Sequence, residues 1–193
     1  MARFTLFWGV IALLCSPLFS SSGQASNDQN VVKVDAYASH EDIHPAESFQ
    51  IAIVANIKQG FHINSHKPSD EFLIPTVLKL DETRSIAFGP VHYPEPKHAL
   101  FSFSTNHLSV YDGKISIFCE GKVSEDISLG DTKVSGVLTY QGCDDQRCFM
   151  PQSVRFEVPL KIVQAGAPIK LVNKSIFQKT VSLTSDELRA KQV

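Results

Sequence analysis

The feature that most narrows what this chain can fold into is a period-two alternation of apolar residues, repeated in short runs and broken by turn residues. In FQIAIVANI, the residues Phe49, Ile51, Ile53, Ala55 and Ile57 fall on one face of an extended chain. Val134, Gly136, Leu138 and Tyr140 do the same in KVSGVLTY, as do Val154, Phe156, Val158 and Leu160 in SVRFEVPL. Val31 to Ala38, Phe72 to Leu80, Leu108 to Tyr111, Lys114 to Cys119 and Val123 to Leu129 extend the series. Gln59-Gly60, Pro68-Ser69-Asp70, Gly89-Pro90, Asp112-Gly113, Gly121 and Gly130-Asp131 supply turns between them. Asp112-Gly113, between two apolar runs, is the strongest hairpin signal. No long window before position 175 carries a helical period. The pattern predicts an all-β chain, an immunoglobulin-like antiparallel β-sandwich with a short irregular or helical C-terminal tail. In that tail Thr184-Ser185-Asp186-Glu187 has the makings of a helix cap, with a frayed end as the alternative.

Composition excludes several function classes. With 18 Lys+Arg against 20 Asp+Glu, the chain has a net charge of −2 and no basic footprint for nucleic acid or an acidic membrane. Four cysteines in 193 residues are too few for a disulfide scaffold, so each needs its own explanation. The first 25 residues, MARFTLFWGVIALLCSPLFSSSGQA, read as an address. Arg3 gives a positive start, Phe4 to Phe19 is mostly apolar, and Gly23 and Ala25 suit a cleavage site. Pro17 and the serines shorten the apolar run below the roughly 20 residues of a spanning helix. Cys15 follows an apolar run, but Leu14 stands where a lipidation site needs a small residue. The expected organisation is a cleaved signal peptide over 1–25, a sandwich domain over 26–163 and a tail over 164–193. The expected location is an exported, periplasmic compartment where disulfides form.

His40-Glu41-Asp42-Ile43-His44 matches the H-E-x-x-H zinc-protease pattern, which works only on a helix. A strand-like run precedes it and Pro45 follows His44, so it reads as a polar loop. His62 and His66 in FHINSHKP read as a loop too, and no metal is expected. Cys119 shares a strand face with Ile115 and Ile117 and reads as a small buried apolar residue.

The segment that carries chemistry is Tyr140-Gln141-Gly142-Cys143-Asp144-Asp145-Gln146-Arg147-Cys148-Phe149-Met150-Pro151. Two cysteines in one polar loop between well-patterned strands are close enough to bridge. A ring this small restrains the unfolded chain by only about 2 kcal/mol, against roughly 4–5 kcal/mol for a long loop. A bond that stabilises so little is better suited to opening and closing than to stapling. Asp144 and Asp145 disfavour a nearby thiolate and Arg147 favours one. If the acids dominate, the dithiol reacts slowly until a partner docks. The alternative is an exported binding module, chaperone-like or copper-handling, with a permanent disulfide.

Gly60-Phe61-His62-Ile63-Asn64-Ser65-His66-Lys67-Pro68, Phe72-Leu73-Ile74-Pro75-Thr76, His92-Tyr93-Pro94-Glu95-Pro96, Val110-Tyr111-Asp112-Gly113 and the Tyr140 to Pro151 segment resemble one family. It is the N-terminal periplasmic domain of DsbD-type thiol:disulfide interchange proteins, also called the disulfide bond corrector domain. The likeness spans roughly residues 31–163. It implies an immunoglobulin-like sandwich with no cofactor beyond a redox-active disulfide, acting as a protein-disulfide reductase module. Its donor would be a thioredoxin-like protein or a DsbD/CcdA-type membrane reductase. Its acceptors would be a periplasmic disulfide isomerase or a cytochrome c maturation thioredoxin. By the same resemblance Cys148 is the cysteine that forms mixed disulfides and Cys143 the one that resolves them. Phe103, with Phe101 second, takes the place of a shielding aromatic in a cap loop, and Tyr140 flanks the pair. The cap stretch Leu100-Phe101-Ser102-Phe103-Ser104 lacks the acidic residues typical of the best-known members. The family's larger architecture adds a membrane domain and a terminal thioredoxin domain, whereas this sequence stops at Val193. The expectation is therefore a stand-alone protein whose electron donor is a separate molecule.

Overall fold

A computed structural model describes residues 30–178, and its strands form three four-stranded sheets. The first is ordered β1 (Val32–Ala38), β3 (Ser48–Ile57), β9 (Lys114–Val123), β6 (Ile86–His92). The second is ordered β2 (Asp42–Ile43), β12 (Gln152–Ile162), β10 (Gly130–Tyr140), β5 (Val77–Leu80). These two sheets share one apolar core, which includes Phe49, Ile51 and Ile53 of β3 and Leu138, Phe156, Val158 and Leu160 of β10 and β12. Pairing is antiparallel except for the short parallel contact of β2 with β12. The sandwich expected from the alternation is the architecture observed, an all-β immunoglobulin-like fold.

β12 shows the alternation in its cleanest form. Phe156, Val158, Leu160 and Ile162 are buried while Arg155, Glu157, Pro159 and Lys161 are exposed. β3 lies between β1 and β9 and buries both faces, Ala52 and Val54 as well as the Phe49–Ile57 series. The second face is covered in part by the C-terminal segment. Phe118, the β9 partner of Ala52, meets the buried Phe177 edge-on at 6.2 Å. Backbone bonds from Glu41 to Lys170 and from Val172 to Ser39 strap that segment along the sandwich, and it turns helical over 174–178. The leader and the Thr184–Glu187 cap lie outside the described residues.

The third sheet, ordered β11 (Gly142–Cys143), β4 (His62–Asn64), β8 (Leu108–Tyr111), β7 (Lys97–Ala99), is what positions the site. β4 follows the end of β3, β11 follows the end of β10, and β8 runs into the start of β9. All three junctions lie at the same end of the sandwich, where Asn56 of β3 pairs with Lys114 of β9.

Several segments depart from what the local sequence predicts. Asp112-Gly113 does not close a hairpin: β8 pairs with β4 and β7, while β9 pairs with β3 and β6, so the turn hands the chain from one sheet to another. Gly121 is not a turn but lies inside β9. A Cβ there would stand 2.7 Å from the Phe49 ring, so the position is glycine because an aromatic crosses its backbone. Gly89-Pro90 forms an irregularity within the edge strand β6, where a missing N–H costs the ladder nothing. Residues 72–76 are not strand, and only Val77–Leu80 pairs. Ser124 to Leu129 is a connection rather than a strand. His62 lies in β4 and is buried, where a loop was expected.

Candidate functional site

β10 ends on Tyr140, a fully buried ring whose hydroxyl donates to Asn30 Oδ1 at 3.1 Å. It anchors the approach to the cysteine loop from inside the core. The chain then steps from the second sheet into the third. Gly142 pairs with Ile63 and Cys143 with His62, so β11 is tied edge-on to β4. Cys143 and Cys148 are joined by a disulfide, with Cα atoms 3.9 Å apart, closer than most bridged pairs. The loop between them closes on itself. Asp144 N–H donates to Arg147 C=O at 2.9 Å, and Phe149 N–H to Gly142 C=O at 2.8 Å. Asp144 Oδ1 accepts the N–H groups of Gln146 and Arg147, both at 2.8 Å. Those two donors pull the Asp144 carboxyl below its ordinary pKa, so it stays ionised as the loop's internal acceptor.

The two cysteines are buried to different degrees. Cys143 is 0% exposed, whereas Cys148 is partly open. Arg147 sits over the Phe149 ring at 5.4 Å, and Phe149 tilts against Phe61 at 6.0 Å. The guanidinium is therefore held over the ring that follows Cys148 in the chain, while Asp145 is exposed.

The cap segment lies against this loop. Ser102 Oγ–H donates to the Asp145 carbonyl, linking the two. Phe101 stacks on the His62 ring with centroids 3.9 Å apart, and Phe103 lies beyond it, 5.7 Å from Phe101 and 6.4 Å from His62. Of the two candidate shields, Phe101 is the inner ring, and Phe103 is 38% exposed. Exposed apolar side chains flank the same end of the molecule: Leu100 in the cap, Met150 after Cys148, and Phe72 and Ile74 in the 72–76 segment.

Gln141, which no sequence expectation above assigns a role, holds the pieces together. Its Oε1 accepts from Asn64 Nδ2 at 3.0 Å and from Ile74 N–H at 3.1 Å, and its Nε2 donates to Phe149 C=O at 3.1 Å. One amide thus ties β4, the 72–76 segment and the chain leaving Cys148. Its place in the Tyr-Gln-Gly-Cys motif was the only signal for it. A second cluster braces the far side of β4. His66 Nδ1 and the buried Tyr111 hydroxyl share a hydrogen bond at 2.8 Å, and the His66 ring stacks on Tyr93 at 4.4 Å.

The His40–His44 segment is not the loop expected: Asp42 and Ile43 between the two histidines form β2 beside β12, and Ile43 is fully buried. His40 and His44 lie on no helix: His44 bonds Glu47 and the Ala167 carbonyl instead, and among the described residues no three His, Cys, Asp or Glu side chains converge as a metal site. Cys119 is an unbridged buried thiol, 3.4 Å from the Gly89 carbonyl, and burial with the adjacent Glu120 charge pushes its pKa up. Among the described residues no helix is long and apolar enough to cross a membrane.

The family model described as thiol:disulfide interchange protein DsbD, N-terminal, matches residues 28–160. The N-terminal periplasmic domain of ScsB from Proteus mirabilis has a similar structure at a TM-score of 0.52 and 16% identity, covering 82% of this chain. The chain spans about half of that protein, 55% of its length, and the likeness is one of fold. A family 123 glycoside hydrolase from Clostridium perfringens aligns at a TM-score of 0.32 and 10% identity, covering 72% of this chain and 28% of that one, and carries no argument. No curated protein matches the sequence.

Proposed function

The chain belongs to the family of the DsbD N-terminal domain, and from that premise we propose that Cys143 and Cys148 cycle between disulfide and dithiol to carry electron pairs between proteins. The observation that carries the proposal is the asymmetry of the pair: one cysteine sealed in the β11–β4 edge, its partner partly exposed on a loop held by the cap. A permanent staple gains nothing from such an arrangement, whereas an exchange centre needs one reachable sulfur and one protected resolving thiol.

The chemistry follows from exchange at sulfur. In the dithiol form the Cys148 thiolate attacks a partner disulfide, and one partner thiolate leaves. Cys143 then attacks Cys148 Sγ, the 143–148 bond forms, and the second partner thiolate departs. The partner gains two electrons and the pair loses two. The reverse sequence, begun by a donor thiolate on Cys148, recharges the pair. No cofactor enters either direction, and about 30 mV of potential difference sets a tenfold bias.

Phe101, stacked on His62 and held through Ser102, screens the centre, and Phe103 extends the screen outward. The exposed Leu100, Phe103, Ile74, Phe72 and Met150 suit the apolar contact face of a thioredoxin-like protein. The proposed donor is such a protein or a DsbD/CcdA-type membrane reductase. The proposed acceptors are a periplasmic disulfide isomerase or a cytochrome c maturation thioredoxin. A periplasmic location, with residues 1–25 as a cleaved leader, is supported by the matched family and by the apolar run at the start of the sequence.

The test is covalent trapping with a purified thioredoxin. A thioredoxin whose resolving cysteine is replaced by serine, and whose remaining cysteine is activated as a thionitrobenzoate disulfide, is expected to form a stable mixed disulfide with Cys148 of the reduced Cys143→Ser variant, releasing thionitrobenzoate, and none with the Cys148→Ser variant. Absence of any adduct on Cys143→Ser, with the wild-type bond inert to reduced thioredoxin, would overturn the proposal.

A further inference from the structure

His62 is the one histidine of the third sheet's interior that neither the exchange chemistry nor the hydrogen-bond network uses. It is 4% exposed, and its Nε2 is buried with no hydrogen-bond partner among the described residues. A buried imidazole nitrogen without a partner is costly, and native proteins keep few of them. Its place in the sheet is specific. His62 is the cross-strand partner of Cys143, and residues directly opposite in an antiparallel pair put their side chains on the same face. Phe101 lies flat on the ring at 3.9 Å and closes it off from solvent.

We propose that His62 is the proton-handling group of the exchange centre, taking the proton from the Cys143 thiol as that residue resolves a mixed disulfide and returning it when the pair is reduced. The inference rests on the redox reading of the pair. In the dithiol state an S–H group stands on the residue opposite His62, and this supplies the donor that Nε2 lacks when the disulfide is closed. During resolution the Cys143 S–H proton passes to Nε2, the Cys143–Cys148 bond forms, and the Cys148–partner bond breaks with its electron pair leaving on the partner sulfur. During reduction a donor thiolate bonds to Cys148 Sγ, the 143–148 bond breaks with its electron pair on Cys143, and that sulfur takes up, through His62, the proton the donor thiol gave to solvent when it ionised.

Burial requires such a group. Cys143 is fully enclosed, so its free thiolate would be formed in a poorly solvating environment. A neutral base at hand removes the need for hydroxide or bulk water to reach it. Burial holds the His62 imidazole below its ordinary pKa and keeps it neutral at rest. The charges acting on it are Asp145 and Asp144 of the cysteine loop and Asp112 of the turn after β8, itself paired with Lys97. All three acids favour the imidazolium once a proton arrives, so the site is poised to accept one and release it again.

The experiment uses the full chain in its dithiol form and one equivalent of 4,4′-dithiodipyridine. Attack by Cys148 releases a first thiopyridone and resolution by Cys143 releases a second, so the two steps are timed separately. His62→Gln is expected to leave the first release within about twofold. The second is expected to slow at pH 7 by at least about tenfold and to climb steadily with pH, instead of levelling near neutrality. His62→Phe, which keeps the stack on Phe101 and removes the orphaned nitrogen, serves if the Gln variant does not fold. The ring-nitrogen NMR shift of His62 in the unaltered protein is the independent readout and should change on reduction. An unchanged second release, equal slowing of both steps, or a ring shift indifferent to redox state would overturn the inference. A wild-type chain that releases no thiopyridone at all would instead remove the exchange function itself.

Discussion

Replacing Gln141 by Ala tests how the cysteine loop is held. The substitution deletes three hydrogen bonds, to Asn64 Nδ2, Ile74 N–H and Phe149 C=O. Ile74 is exposed, so its N–H is recovered by solvent and counts for little. Asn64 is 0% exposed and keeps one bond to the Ile74 carbonyl, but it loses the other. The Phe149 carbonyl is left partly buried. At about 1 kcal/mol per bond, with a further penalty for the buried groups left short, the expected loss is about 2–3 kcal/mol. For a chain of this size that lowers the melting midpoint by about 4–12 °C. Urea unfolding measures it, with an unchanged slope showing that the same structure is being melted. Gln141→Glu should cost at least as much, because its carboxylate still accepts from Asn64 and Ile74 but sets a second, charged oxygen against the Phe149 carbonyl. Both variants should also reduce faster with a small dithiol, since the chain leaving Cys148 is no longer tied to β4. A Gln141→Ala protein within about 0.5 kcal/mol of wild type, exchanging at the wild-type rate, would refute this account of the loop.

Ser102→Ala removes the link from the cap to the Asp145 carbonyl, and reduction by dithiothreitol should accelerate by up to about fivefold with the melting midpoint nearly unchanged. Gly142→Ala sets a Cβ 2.6 Å from Val31 Cγ2, so either the buried Val31 side chain or β11 must move; urea unfolding should show a loss of roughly 1–3 kcal/mol. His40, His62 and His66 are all held below the ordinary histidine value of 6.5, with burial the largest cause in each. The unfolded chain therefore binds their protons first, and their contribution, full above about pH 6.5, is lost as the pH falls from there through the folded-state values. Thermal midpoints measured from pH 7.5 down to pH 5 should fall across that interval, and a flat profile would contradict the burial argument.

The long strands were legible in the sequence because their period-two pattern is set by a core on one side, as in β10 and β12. β3 was legible on one face only, since the burial of Ala52 and Val54 on the other face breaks the alternation. The third sheet was not legible: β4, β7 and β11 are two or three residues long, too short to show a period. Asp112-Gly113 was read as a hairpin because a turn signal is local, whereas the sheet each flanking strand joins is decided by distant partners. Gly121 was read as a turn because the approach of Phe49 is invisible in the local sequence. The two cysteines stood out by spacing and loop composition. The residues that hold and face them, Gln141 and His62, did not, because what they do is set by contacts across some eighty residues.

The central claim is that the 143–148 bridge opens and closes under biological conditions. The direct measurement equilibrates the native protein with a thioredoxin redox buffer, quenches with an alkylating reagent and counts labelled cysteines by mass spectrometry. The account predicts a reversible two-electron transition in which Cys143 and Cys148 gain label together, Cys119 stays unlabelled, and the fold is retained in both states. A bridge that stays closed across the whole range, or opens only as the protein unfolds, would contradict it.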